Sequence, residues 1–434
     1  MKKTLIALLC LILLPALAQA NGLNLNSLGS RALAMGGAFV GLADDFSAIY
    51  WNPAGMSQFS TKTFGFYGTD IIPSGTYVNQ IPLLGTIDAK TRTKHYLSGM
   101  AAYYHPINDK VVAGLGVFVP SGLGTSWDGD DFLLSTYPFL QSYEFYSQVA
   151  LVTIAPALSY KINDMFSVGA TLNINYGMFD LKRWAGAAVM PPTLPAPGLD
   201  LGQFEMSLTG WGVGATLGVL FKPSDMISVG ATLRTASKIS FKGDTTITYL
   251  GLLGVPSSSE VELDITWPMW LAAGVAVRPI SNLTITGDLQ WSQWSSVDTI
   301  ELNYTDSLWQ IFMGLAGMDE LAMRWKNALQ IRFGAEYQLT KALALRAGYY
   351  HDPSPVPDQT IMPLLPSFDF NVLTVGLGYA LDGLNIDLGF EYLMGKERSV
   401  SWADKLSNPD YSVSTPGTYG MNIVVPNISV SYKF

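Results

Sequence analysis

Cysteine is nearly absent from this sequence: among 434 residues the one thiol is Cys10. It sits in an apolar run, residues 4–17, behind Lys2 and Lys3 and ahead of Ala18-Gln19-Ala20. A positive start, an apolar middle and a small-residue end make a secretory signal. Residues 1–20 are therefore expected to be removed, leaving a thiol-free chain suited to a compartment where stray thiols oxidise. Cys10 falls too early, with more apolar sequence behind it, for a lipoprotein. Histidine is scarce too: His95, His105 and His351 are the only three, none spaced for zinc. There is no Gly-x-Ser-x-Gly elbow and no phosphate loop, so neither an enzyme nor a cofactor or metal site is expected. Positive charge is short, 25 Lys and Arg against 34 Asp and Glu, and the formal charge of −9 becomes −11 without Lys2 and Lys3. That excludes nucleic acid as a partner.

Long apolar runs are missing as well. The chain is 49% hydrophobic with a mean hydropathy of +0.25, yet no stretch beyond the signal holds the roughly 18 apolar residues of a spanning helix. A bilayer admits only helices or closed barrels. The apolar residues fall in alternation instead. Ile428, Val430, Tyr432 and Phe434 share one face, with Ser429, Ser431 and Lys433 on the other, and 283–291, 329–337 and 384–392 repeat the pattern. Lipid outside and a polar lumen fit this better than a soluble sandwich. Tight turns at 106–109, 161–164, 223–225, 279–282, 339–341 and 381–383 alternate with longer segments near 72–92, 121–144, 185–205, 247–259, 303–325, 353–368 and 401–418. The fold class expected is all-β, a membrane-spanning antiparallel barrel of about 14 strands with both ends periplasmic. Strands should start near 60, 93, 110, 145, 165, 206, 227, 260, 282, 327, 342, 369, 384 and 420. Tyr103, Tyr104, Tyr160, Phe166, Phe221, Tyr379, Tyr432 and Phe434 at one rim, and Trp267, Trp270, Trp291, Trp294 and Tyr349 at the other, should form aromatic girdles. A hydrolase with only a Ser and a His in the wall is the enzyme class left open. An outer-membrane hydrolase aside, the barrel reads as a channel or a structural surface protein.

One stretch, residues 21–56, fits neither strand nor core helix: it is rich in Gly, Ala, Ser and Asn and carries Arg31, Asp44 and Asp45. The barrel lumen is its natural place, so the domains expected are a plug over 21–56 and the barrel over 57–434. The stretch resembles the N-terminal hatch of the FadL-type outer-membrane transporters of long-chain fatty acids and aromatic hydrocarbons. The matching residues are Gly29, Arg31, Met35-Gly36-Gly37-Ala38, Ala43-Asp44-Asp45 and Trp51-Asn52-Pro53-Ala54-Gly55. Asn52 and Pro53 should hold a turn where the hatch enters the first strand, with Ala54 packed under the wall. A second block runs from Trp325-Lys326-Asn327 through Leu345-Arg346-Ala347-Gly348-Tyr349 to Pro353-Ser354-Pro355-Val356-Pro357-Asp358 and Pro363-Leu364-Leu365-Pro366. The family commonly follows it with Asp then Arg, where this chain has Ser367-Phe368-Asp369-Phe370. The third block is Pro120-Ser121-Gly122-Leu123-Gly124-Thr125, with Ser121 where many members have Phe.

The resemblance implies an inward kink of the third strand that opens the wall sideways. Pro120, Gly122 and Gly124 would carry it, because Pro cannot donate to the ladder and Gly leaves a gap. The other reading, that Pro120 merely ends the strand, stands beside it. Two long loops are apolar, one with Phe132, Leu133, Leu134, Phe139 and Leu140, the other with Trp309, Ile311, Phe312 and Leu315. They could capture hydrophobic molecules or pack together as a lid. In the second, Leu308, Ile311, Phe312, Leu315 and Met318 are spaced as one helix face. Alternation sends Arg332, Glu336, Arg346, Asp288, Asp387 and Glu391 into the lumen, to pair with one another and with Arg31, Asp44 and Asp45, or to leave one arginine for a ligand carboxylate, for which Lys326 and Arg183 are further candidates. The function expected is passive uptake of hydrophobic compounds, first long-chain fatty acids, by loop capture, plug rearrangement and lateral release. Import of aromatic or aliphatic hydrocarbons, or a closed structural or adhesive barrel, are the alternatives. The partners expected are hydrophobic small molecules and outer-membrane lipid with lipopolysaccharide around a monomer, in the outer membrane of a Gram-negative bacterium.

Overall fold

The computed structural model describes residues 22–187 and 198–434. The signal segment expected over 1–20 lies outside the described residues. Fourteen antiparallel strands make one closed wall. They are β1 (Thr63–Ile81), β2 (Tyr96–Pro106), β3 (Val111–Trp127), β4 (Phe145–Lys161), β5 (Phe166–Ala187) and β6 (Leu199–Ser224). Next come β7 in two pieces (Ile227–Arg234 and Ser237–Ile247) and β8 in two (Ser258–Trp267 and Trp270–Ile280). The wall ends with β9 (Leu283–Ser292), β10 (Ala328–Gln338), β11 (Leu343–Asp352), β12 (Phe370–Leu381), β13 (Leu384–Gly395) and β14 (Gly417–Lys433). Neighbours in sequence pair in space, and β14 closes on β1, with Thr63 opposite Lys433 and Val78 opposite Thr418. Closure leaves no strand edge unpaired in lipid, as the bilayer demands.

Thirteen strands begin within three residues of the start read from the alternation. The exception is β6, which begins at Leu199 rather than near 206, while β5 runs on to Ala187, so both flanks of the loop expected over 185–205 are wall, and its middle, 188–197, lies outside the described residues. The cause is a change of solvent along the strand. Near the periplasmic turns the outward positions are apolar, as at Leu217 and Val219. Towards the extracellular end the pattern inverts: Phe179, Leu181, Phe204 and Met206 are buried inside while Glu205 and Ser207 face out. A search for apolar residues outside stops where the lipid stops.

The girdle also needs correction. Tyr103, Tyr160, Phe166, Tyr379, Tyr432 and Phe434 are exposed on the outer wall. Tyr104, Trp267, Trp270 and Trp294 are instead buried, because each has work inside. Tyr104 donates to Phe46 O at 2.5 Å, Trp267 Nε1 donates to Ser121 Oγ at 2.9 Å, Trp294 packs edge-on to Trp325, and Trp270 lies under the Arg234 guanidinium.

Candidate functional site

Residues 22–58 lie within the wall as short elements: α1 (Ser30–Ala34), α2 (Ala48–Trp51) and a 3-10 turn, Pro53–Gln58. Helix α1 stops because Gly36 and Gly37 both take φ of +64°, a left-handed backbone that a side chain disfavours. Where this backbone meets the wall, the wall carries glycine. A Cβ on Gly348 would stand 2.1 Å from Gly36 N, on Gly334 2.3 Å from Met35 O, on Gly230 2.2 Å from Val40 O, and on Gly218 2.1 Å from Asn52 Oδ1. At these glycines the hatch lies directly on the wall, too close for any other residue.

Asn52, fully buried, is the stitch. Its Nδ2 donates to Val40 O at 3.0 Å and to Val219 O of β6 at 2.9 Å, and its Oδ1 accepts from Ala54 N at 3.1 Å. Pro53 sits against Gly169 of β5. The Asn-Pro-Ala turn therefore seats on β5 and β6, on a different part of the wall from the entry to β1. Ala54 is fully buried there.

The lumen charges form a chain. Arg31 donates to Glu336 at 2.7 and 2.8 Å and to Asp44 at 2.6 Å; Arg346 donates to Glu336 and to Asp387, both at 2.6 Å. Arg278 adds a longer contact to Asp44 at 3.4 Å. Asp45 accepts from the backbone and hydroxyl of Ser47, and burial pushes its carboxyl up to about 6 against the pull of Arg31. Arg332 is wholly buried: it donates to Gln330 Oε1 and to Gly36 O, and lies 4.2 Å from the Tyr350 ring, whose hydroxyl is bonded to Glu391. Asp288 accepts from Val40 N at 2.9 Å. Five of the six lumen charges read from the alternation thus touch the hatch or one another, and Glu391 bonds to Tyr350 of the wall.

At Pro120 the third strand neither ends nor continues regularly. Phe118 faces Thr153 of β4 but Ser121 faces Leu151, so β3 carries one extra residue there. Its pairing with β2 stops at Phe118 opposite Met100. Beyond that point the free edge of β3 is met by the chain's own start: Leu25 N donates to Pro120 O at 2.9 Å, and Ser121 Oγ donates to Asn24 Oδ1 at 2.8 Å. The Tyr96 ring fills the space over Gly124, where a Cβ would come within 2.5 Å of it, whereas over Gly122 the nearest atom is 3.9 Å away.

Against this break lies a small, mainly apolar cavity of about 100 Å³. It is lined by Leu23 and Asn24 of the hatch, Ile71 and Pro73 of β1, Tyr96, Gly122–Thr125 of β3, Leu393, Met421 and Ile423, and roofed by Val356 and 364–368 of the β11–β12 loop. No Lys, Arg or His is among the described lining residues; Asp352 is the acidic one, bonded to Asn26 and Gln330. The roof is pinned by Arg398, which donates to Ser354 Oγ, Val356 O, Ser367 O and Asp358. Sequence reading missed Arg398. The signal available was its nearness in the chain to a loop whose family arginine is replaced by Phe370, but nothing local ties 398 to 354–367.

The capture-loop residues stay apart among the described contacts. Phe132 is buried and stacks on Tyr77 and Phe145; Leu133, Leu134 and Phe139 are half-buried, and Leu140 is exposed. The second loop does form a helix, α3 (Ser307–Ala316), but its buried face is Trp309 and Met313 with Phe312 half-buried, while Leu308, Ile311 and Leu315 point out at 47, 60 and 86% exposure. Trp309 Nε1 donates to Pro256 O at 2.7 Å. Of the basic candidates, Arg332 and Arg346 are engaged as above, and Lys326 lines a separate polar cleft beside Asp358 and Arg398. Arg183, facing inward, lies 4.9 Å from the Phe204 ring and near Met318 Sδ, with no carboxylate in an ion pair with it among the described residues.

A closed barrel with a stitched-in hatch and an apolar cavity at a break in its wall is an integral outer-membrane protein of the kind that passes hydrophobic compounds. The chain belongs to the outer membrane protein transport family (OMPP1/FadL/TodX), whose family model matches residues 11–434. It is 26% identical over 433 residues to the long-chain fatty acid transport protein of Escherichia coli O6:H1, covering 92% of each chain. It is 24% identical over 441 residues to outer membrane protein P1 of Haemophilus influenzae, covering 92% of this chain and 91% of the relative. Its fold matches a Pseudomonas aeruginosa FadL homologue with a TM-score of 0.78 at 19% identity, over 95% of this chain and all of that one. The Pseudomonas putida toluene transporter TodX matches at 0.71 and 19%, over 95 and 99%.

Proposed function

We propose that the protein is a passive conduit for hydrophobic compounds: external loops capture the molecule, the cavity holds it, and it leaves sideways at β3 once the hatch withdraws from Pro120 and Ser121. The observation that carries this is that one cavity is bounded both by the free edge of β3 and by the hatch residues that cover that edge. Loss of the Leu25–Pro120 contact would join cavity to membrane without opening the lumen to the periplasm. The barrel acts as a monomer within outer-membrane lipid and lipopolysaccharide.

Long-chain fatty acids are the first ligand class. A carboxylate needs a cation when it leaves water, and Arg183, half-buried over the Phe204 ring outside the cavity lining, with no ion-pair partner among the described residues, offers one. A second reading, uncharged hydrocarbons, is favoured by the cavity lining itself, which holds an acidic group and no basic one among the described residues. Uptake of labelled hexadecanoate and of a labelled alkylbenzene should be measured in cells with and without the protein, and again with Arg183→Gln. Protein-dependent uptake of either supports the conduit. A loss of roughly tenfold or more for hexadecanoate alone in the variant, the worth of one charge-assisted hydrogen bond, assigns the acid. Unchanged uptake of both compounds without the protein points to a closed structural barrel.

A further inference from the structure

The apolar cavity has a smaller neighbour. Strand β7 is interrupted between Arg234 and Ser237 and β8 between Trp267 and Trp270, at the same height, since Arg234 pairs with Trp270 and Ser237 with Trp267. Pro268 stands in the second gap and has no N–H for the ladder. The recess inside this double break is a cavity of about 40 Å³. It touches Pro120 and Ser121, and Asn24 of the hatch lines both this cavity and the apolar one. Asn24 is held there by Ser121 Oγ, which in turn accepts from Trp267 Nε1.

The chemistry of the recess is the reverse of its neighbour's. Arg234 is the one charged group among its described lining residues, and no Asp or Glu is among them. The guanidinium lies 4.5 Å from the Tyr50 ring of α2 and 5.0 Å from the Trp270 ring, and its Nη2 donates to Tyr50 O at 3.0 Å. Its stacked and bonded partners among the described residues include no carboxylate. Aromatic faces hold a cation in place, but an uncompensated charge away from water is costly until an anion joins it. The lining also has donors to spare. Asn173 Nδ2 donates to Thr216 Oγ1 at 2.8 Å and Asn175 Nδ2 to Ser237 Oγ at 3.0 Å, one bond apiece from groups that carry two N–H each.

We propose that this recess is a carboxylate site: the headgroup of an apolar acid sits on Arg234, and its chain runs into the neighbouring apolar cavity once Asn24 leaves Ser121. Size sets that division. One water needs about 10–15 Å³ of such space, so a recess of about 40 Å³ admits the carboxylate and none of the chain. Resting on the conduit reading, the site adds the ligand class to it, an acid with a long apolar tail, held by its head at the break while the tail enters the membrane. Arg183 is a separate cation, outside both linings.

The test is equilibrium binding of labelled hexadecanoate and labelled hexadecan-1-ol, which share a chain and differ at the head, to purified full-length parent, Arg234→Gln and Arg234→Lys in one detergent. Heat-modifiable mobility checks the barrel and protease resistance of residues 22–58 checks the hatch. Arg234→Gln should bind hexadecanoate roughly tenfold more weakly, the worth of one charge-assisted hydrogen bond, and hexadecan-1-ol as the parent does. Arg234→Lys, which keeps the charge without the planar fork, should recover part of the loss. Oxidised Asn24→Cys/Ser121→Cys, with the hatch locked on β3, should lose the preference for the acid. If Arg234→Gln does not fold, Asn175→Asp sets an acidic group in the same recess and carries the same comparison. Equal losses for acid and alcohol make Arg234 a clamp on Tyr50 and overturn the proposal, as does unchanged affinity for the acid. A parent that binds both compounds equally well removes the head site and leaves the conduit standing, whereas a parent that binds neither removes both.

Discussion

Asn52 holds three hydrogen bonds inside a lumen where water does not compete, two of them to backbone carbonyls from different segments. Asn52→Ala leaves those groups unpaired at roughly 1–3 kcal/mol apiece, enough to loosen the hatch without touching the wall's ladder. Protease should cut the hatch of this variant in a barrel that still shows heat-modifiable mobility; a hatch as resistant as the parent's would show the stitch to be redundant. Asp45 gives the seat a pH dependence. Its folded carboxyl titrates near 6, above the usual carboxylate value, with Arg31 and Asp44 as its charged neighbours, so the stability it contributes is present at low pH and lost as pH rises through about 6. Hydrogen exchange in residues 30–58 should therefore slow between pH 7 and pH 5, and Asp45→Asn should flatten that trend. Arg398 is the residue-scale determinant of the cavity roof. Arg398→Ala should free the 353–369 loop and raise the ligand off-rate several-fold with the number of sites unchanged, whereas Arg398→Lys, which lacks the planar fork, should recover only part of the effect. Asn52 and Arg31 were legible because they stand in compact motifs near the start. Arg398 was not, since its partners lie 31–44 residues away and two of the four are backbone carbonyls, which have no sequence signature.

At the scale of elements, β3 and the hatch form one device. The sequence left open whether Pro120 ends the strand or kinks it. The structure carries the strand on to Trp127 with an extra residue at 119–120 and no β2 partner past Phe118. Pro120→Val with Gly122→Val should favour regular pairing by about 1 kcal/mol per site, and the space beside Gly122 accommodates the new side chain. Uptake in this variant should fall to background while ligand still binds purified protein; transport at the parent rate would move the exit away from this strand. The helix α3 was visible in the spacing. Leu308, Ile311 and Leu315 do share a face, yet Trp309 and Met313 won the interior, because a buried indole with its N–H on Pro256 O removes more apolar surface and leaves no donor unpaired.

For the whole molecule, the proposed function makes the segment threaded through the wall the moving part. The mature chain expected here has no cysteine, so an engineered pair has no native competitor. Asn24→Cys with Ser121→Cys joins residues already paired across a β-bridge. Oxidation should stop uptake and reduction restore it, with barrel mobility unchanged in both states; uptake that ignores the redox state would show that the hatch need not leave β3. The barrel itself was determined by sequence alone: a period of two, the lack of any long apolar run and the alternation of short and long connections leave no other architecture in a bilayer, and these are local properties of each segment. Three things waited for the tertiary structure. The hatch seats on β5 and β6 because Gly169 and Gly218, five and six strands along the chain, face it, the cavity exists because β2 and β3 stop pairing at Phe118, and the wall rises past the lipid on β5–β8 because its solvent changes there. Each depends on which residues meet across the closed cylinder, and a one-dimensional pattern carries no information about that until the cylinder closes.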